Sequence, residues 1–248
     1  MTNFSIKYLE SVGSTNAFLL EKPEMERVGC VVYANEQTSG KGMGNNSWES
    51  SPGMNLTFSM GVDMSFMKAA DQFLLSQAVP LGLVDVLDTI VEPSHKESLM
   101  IKWPNDLVFG QRKLCGILIN STIHGMMMGS SVIGIGLNVN QMQFHDWPTQ
   151  PISMKMILGN DMELEPLLKQ LIMAVDCRVQ RLRSDEGKAE IRRDYLERMF
   201  RYHQWGNYET KGNLVRRFIT GLDPFGRLET IDETGERFVY DIKEIRMW

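Results

Sequence analysis

Cysteine is scarce in this chain. Its 248 residues hold three, Cys30, Cys115 and Cys177, far apart and without a Cys-x-x-Cys pair. That excludes a disulfide framework and a cysteine zinc site, suits a reducing compartment, and leads us to expect three small core residues. Long basic runs are missing too, and the formal net charge is −5, which argues against a sequence-independent grip on DNA or RNA. No uninterrupted apolar span is long enough to cross a bilayer, and residues 1–7 lack the basic start and apolar stretch of a secretion signal. The expectation is a cytoplasmic protein that engages neither nucleic acid nor membrane. Also absent are the P-loop spacing and any Ser, Cys or His motif of a covalent nucleophile.

The length suits one large domain plus a small one. Residues 4–10 alternate loosely as a strand, and the cluster Ser14, Thr15 and Asn16 then opens a helix that those side chains can cap. The same three groups could receive a neutral polar head. Residues 28–35 read as a buried strand. After Glu36 the chain becomes a loop with Gly40, Gly42 and Gly44 around Lys41, whose amides can wrap an anion. Residues 55–62 alternate as a strand. Residues 67–91 form a long apolar helical pattern interrupted by Pro80, which predicts a kink near 77–79 or two abutting helices.

Residues 99–120 organise the rest. The apolar segments 99–103 and 114–119 flank a turn after Pro104, and so predict a hairpin-like unit. Lys102, Asn105, Asp106 and Lys113 fall at its edges beside Gly116. Two cations and a carboxylate point to an anionic ligand with a metal ion; a solvated turn with ordinary surface charges is the other reading. Met126 to Met128 follow Gly125 as an exposed turn or packing filler, and residues 132–140 form a strand whose Gly134 and Gly136 admit a neighbouring element.

Helical spacing marks residues 163–183 as an amphipathic scaffold helix, with a second near 188–200, their arginines forming a solvated face. From about residue 205 the pattern shifts to short strands with dense turn signals, which suggests a small barrel leaning on the main domain.

Lys102-Trp103-Pro104-Asn105-Asp106, followed by Lys113-Leu114-Cys115-Gly116-Ile117-Leu118, resembles the central signature of biotin protein ligases. The resemblance extends to Ser14-Thr15-Asn16, to Gly40 through Trp48, and to the glycine strand ending at Asn138. It implies an α+β fold: a mixed β-sheet flanked by helices, similar to class II synthetases, spanning residues 1–203, with a small SH3-like β-barrel at 204–248. It also implies ATP-dependent activation of biotin to biotinyl-5′-adenylate and transfer to a lysine of a biotin carboxyl carrier protein, with magnesium. A lipoate or octanoate ligase or transferase and a non-catalytic biotin-binding module are the alternatives, and a homodimer is compatible.

Carried over residue by residue, the resemblance puts biotin against Ser14, Thr15, Asn16, Gln37, Gly40, Lys41, Gly42, Met43, Trp48, Lys113 and Gly116. ATP falls to Lys41, Lys102, Asn105, Asn138 and Ile152, with Trp147 and Ile152 as candidates for packing on adenine. Lys113, Asp106 and Asn105 carry the chemistry, Asp106 on the metal. Two positions depart from the family pattern: Lys41 and Met43 stand where arginines are usual. Met43 offers neither charge nor planar fork, so weaker retention of the adenylate is expected. With thirteen residues before Ser14 there is no room for a winged helix, so the chain resembles a stand-alone ligase.

Overall fold

A computed structural model describes residues 2–44, 46–145 and 149–247. Its larger sheet is built from β1 (Ser5–Val12), β2 (Cys30–Gln37), β3 (Leu56–Asp63), β4 (Leu99–Lys102), β5 (Asp106–Phe109), β6 (Arg112–His124) and β7 (Met127–Leu137). The spatial order is β1-β2-β3-β7-β6-β5-β4. β1 and β2 run parallel and every other neighbour is antiparallel, so the sheet is mixed as expected.

Side-chain alternation along β7 separates the two faces. Ile133, Ile135 and Leu137 enter the main core, whereas Val132 packs with Leu19 of a short helix, α1 (Thr15–Leu20). Gly134 and Gly136 share the Val132 side. Behind the core face lie α3 (Phe73–Ile90), α5 (Leu164–Arg181) and α6 (Asp185–Glu197), while α2 (Glu24–Arg27) and α4 (Met154–Leu158) are short connectors. α3 is long and apolar enough to cross a membrane by length and composition, and 67% of it is buried inside the protein.

The structure corrects several expectations. The 99–120 unit has three strands, because residues 106–109 pair with β4 on one side and β6 on the other. Pro80 lies inside one continuous helix rather than between two. Cys115 is buried, but Cys177 is exposed and Cys30 only partly covered. The arginines are more than a solvated face. Arg178 grips Asp85 of α3 through Nε and Nη2 at 2.6 and 2.7 Å, and its Nη1 reaches Asp194 of α6 at 2.7 Å. Arg198 likewise pairs with Asp88.

Where α3 crosses α5, a Cβ on Gly82 would stand 2.6 Å from the Val175 Cα. Gly82→Ala should therefore destabilise the fold by about 1–3 kcal/mol despite its better helix propensity, because the obstacle is backbone. The midpoint of chemical denaturation reports it, and an unchanged or higher midpoint would contradict that packing.

The second sheet is antiparallel, in the order β11-β10-β9-β8-β12, from β8 (Trp205–Thr210), β9 (Asn213–Leu222), β10 (Leu228–Ile231), β11 (Arg237–Tyr240) and β12 (Arg246–Met247). It shares the main core through Tyr208, Ile219, Leu228, Ile245 and Met247. The Trp103 Nε1–H donates to the Gly226 carbonyl at 2.9 Å, pinning a turn of this sheet behind the end of β4.

Candidate active site

On the α1 side of the large sheet lies a cavity of about 660 Å³. Its floor is cleared by glycine. A Cβ on Gly136 would fall 2.6 Å from the Trp48 Nε1, one on Gly116 2.9 Å from Cζ3 of the same ring, and one on Gly134 3.0 Å from the Asn16 Nδ2. The indole therefore lies flat on two adjacent strands. It is delivered there by the glycine loop, which folds as a small hairpin: the Trp48 amide donates to the Gly40 carbonyl at 3.0 Å, the Gly42 amide to the Asn46 carbonyl at 2.8 Å, and Lys41 bridges Ser47.

One end of the cavity is polar and uncharged. Ser14 caps α1, its Oγ accepting the Ala17 amide at 3.4 Å. The Thr15 amide donates to the Gln37 Oε1 at 2.8 Å, the Thr15 hydroxyl meets the Ser59 hydroxyl at 2.9 Å, and the Asn16 amide group reaches the Leu118 carbonyl at 3.5 Å. Ser14, Thr15 and Asn16 are all buried, so hydrogen bonds here form with little competition from water.

The other end is ionic. Lys113 Nζ sits 2.8 Å from the Asp106 Oδ1 and 5.7 Å from the centre of the Trp48 ring. The adjacent strands β5 and β6 bring the pair together. Lys102, paired with Asp106 across β4 and β5, has its ammonium pushed below the ordinary range by burial. Lys113 and Arg201 push the same way, and Asp106 pulls against them. Crowded cations of this kind gain from an anion placed among them. Asn105 fixes its turn, Nδ2 donating to the Ile117 carbonyl at 2.8 Å. Asn138 sits just past β7, with Nδ2 donating to the Ile152 carbonyl at 3.1 Å. Burial pushes the Cys115 thiol well up, so it offers no thiolate beside the cavity.

Most residues singled out from the sequence meet here. Ser14, Thr15, Asn16, Gln37, Lys41, Gly42, Met43, Trp48, Lys102, Asn105, Asp106, Lys113, Gly116 and Asn138 line this one cavity. Two do not. Gly40 lies behind the wall, where a Cβ would strike the Trp48 carbonyl, and Ile152 is buried in the main core while its neighbour Pro151 lines the cavity. Trp147 lies outside the described residues.

Sequence reasoning missed Phe58 and Ser59 of β3, Phe144, and the segment carrying Lys243 and Arg246. Ser59 left a signal, a polar residue inside a strand buried on both faces; the others left none. Among the described residues no group of three His, Cys, Asp or Glu could cage a metal ion. A magnesium ion borne by a nucleotide needs only one or two carboxylates, and Asp106 meets that requirement.

A family profile described as the biotin/lipoate A/B protein ligase family matches residues 8–138. The bifunctional ligase/repressor BirA of Escherichia coli is 32% identical over 137 residues, covering 54% of this chain and 40% of that protein. The biotin–[acetyl-CoA-carboxylase] ligase of Mycobacterium tuberculosis is 31% identical over 131 residues, covering 52% and 47%. The chain thus spans less than half the length of these curated relatives. A solved structure of the biotin protein ligase from Aquifex aeolicus with biotin and ATP superposes with a TM-score of 0.78 at 20% identity, covering 97% of each chain. At that identity the likeness shows the fold.

Proposed function

The chain belongs to the biotin/lipoate A/B protein ligase family, its profile covering residues 8–138, and from that premise we propose that it activates biotin with ATP and passes the biotinyl group to a lysine of a carrier protein. The observation that carries the reading is the polarity of one cavity. Neutral hydrogen-bonding groups at Ser14, Thr15, Asn16 and Gln37 close one end, an indole floors the middle, and Lys102, Asp106 and Lys113 close the other. That sequence of environments suits a ureido ring, an aliphatic chain and a carboxylate facing a phosphate. The relative named as a biotin–[acetyl-CoA-carboxylase] ligase supports it.

Two anions must meet for the first step. The biotin carboxylate oxygen attacks the α-phosphorus of ATP and the bond to pyrophosphate breaks, leaving a mixed anhydride. Lys113, steadied by Asp106, offsets the charge that gathers at the carboxylate and phosphoryl oxygens, and Lys102 supports the nucleotide side. Asp106 would hold a magnesium ion together with the phosphate oxygens, the ion supplying further charge neutralisation. In the second step the uncharged amine of the acceptor lysine attacks the biotinyl carbonyl and AMP departs. No protein nucleophile is needed.

The test is to incubate the protein with biotin, ATP, magnesium and a biotin carboxyl carrier domain and weigh the carrier. A gain of one biotinyl group on a single lysine is expected. A gain only when lipoate replaces biotin, or none with either acid, would refute the assignment.

A further inference from the structure

We propose that Lys243, on the turn before β12, is a phosphate-holding residue that closes the glycine hairpin over the adenylate. The inference rests on the reading of the cavity given above and adds one residue to it. The turn is firmly held: the Glu244 amide donates to the Asp241 carbonyl at 3.1 Å, the Asp241 amide donates to the Glu244 Oε2 at 2.7 Å, and Ile245 and Met247 just beyond are buried in the main core. On this anchored turn Lys243 adopts a φ of 76°, a left-handed conformation that costs an L side chain and that glycine takes freely.

The strained backbone carries the lysine side chain across to the glycine hairpin. Its Nζ lies 2.6 Å, and its Cε 3.1 Å, from where a Cβ of Gly44 would stand. A side chain at 44 would displace the ammonium, and Gly44, at φ +68°, has none. Lys243 lines the same cavity as Lys41 and Lys113. Among the described residues no carboxylate forms an ion pair with it. Met43 brings no charge to the hairpin, so Lys41 is its own cation there and Lys243 adds a second from outside it. An ammonium without a carboxylate partner, set against the glycine hairpin in a cavity shared with Lys41 and Lys113, is completed by an anion seated among them, and the phosphoryl group of an acyl adenylate fits that place.

Three variants test this: Lys243→Met, Lys243→Arg and Lys243→Gly. Each is assayed for biotin affinity, the KM for ATP, the rate at which preformed labelled adenylate leaves the enzyme, and thermal midpoint. Lys243→Met should keep biotin affinity within about two-fold while raising the ATP KM and adenylate release about ten-fold or more, the loss of one charge-assisted contact. Lys243→Arg should restore most of both. Lys243→Gly should match the Met variant in function while its thermal midpoint holds or rises, since the left-handed residue no longer carries a side chain.

Unchanged ATP KM and adenylate release in the Met and Gly variants would overturn the proposal. So would an equal loss of biotin affinity, which marks a general structural effect. If the unaltered protein makes no biotin-dependent adenylate at all, the reading of the cavity fails first, and this residue's role with it.

Discussion

Lys113→Ala should all but abolish biotin-dependent exchange of labelled pyrophosphate into ATP, lowering the rate by roughly 10²–10³-fold, the scale at which preorganised charge stabilisation is lost. In the folded protein the Lys113 ammonium lies 2.8 Å from the Asp106 carboxylate. Removing it withdraws a positive charge and leaves Asp106 facing an incoming carboxylate and phosphate with the wrong sign. Two repulsions then replace one attraction. The fold should survive, because Lys113 is held by its backbone: its amide donates to the Gln150 carbonyl and its carbonyl accepts the Ile152 amide, both at 2.9 Å. Lys113→Arg should recover part of the exchange by restoring charge without the same reach. Near-normal exchange in the alanine variant would remove Lys113 from the reaction.

Gly136→Val should weaken biotin binding by about 100-fold or more while leaving the sheet intact. A β-branched residue is welcome in a strand, and Gly136 is paired on both sides, with Thr57 and with Gly116. The difficulty lies above the sheet. A Cβ at 136 would stand 2.6 Å from the indole Nε1 and 2.7 Å from Cζ2 of Trp48, so the ring has to leave the floor and take the hairpin 40–48 with it. Loss of the aromatic wall on the apolar part of the ligand, plus displacement of Lys41 and Gly42, accounts for the size of the effect. Calorimetric titration with biotin measures it, and near-native affinity with Trp48 still in place would contradict the packing of that ring. Gly116→Ala, whose Cβ meets the edge of the same ring at 2.9 Å, should show a smaller loss in the same assay.

These two sites illustrate what could be read from the residues alone. Lys113 stood out because its charge sits beside Asp106 in a short segment whose strand signals flank it, and local pairing of β5 with β6 sufficed to bring the two together. The helix start was legible for the same reason, but the sequence left Ser14, Thr15 and Asn16 all open as its cap; in the structure the Ser14 Oγ accepts the Ala17 amide. The glycines at 134 and 136 announced a close approach, yet nothing local said that Trp48, almost ninety positions earlier, would be what approaches.

Tertiary pairing also hid the third strand of the 99–120 unit. Residues 106–109 are only four long, begin at Asp106 straight after the Asn105 turn, and owe their extended shape to two neighbours rather than to their own propensity. Arg178 was unreadable in the same sense. Its spacing on α5 suggested a wet face, and only the placement of Asp85 on α3 and Asp194 on α6 turns it into a clamp joining three helices. Lys243 is the extreme case, since some two hundred residues separate it from Gly44 and its strained φ has no signature in composition or period.

In the proposed reaction biotin is activated through its own carboxylate on the α-phosphate of ATP, between the cations of one cavity. Biotin carrying ¹⁸O in both carboxylate oxygens tests it most directly. After full turnover onto the carrier domain AMP should bear one heavy oxygen, because the bridging atom of the mixed anhydride leaves with the nucleotide. Unlabelled AMP, or ADP with the heavy oxygen in orthophosphate, would contradict it.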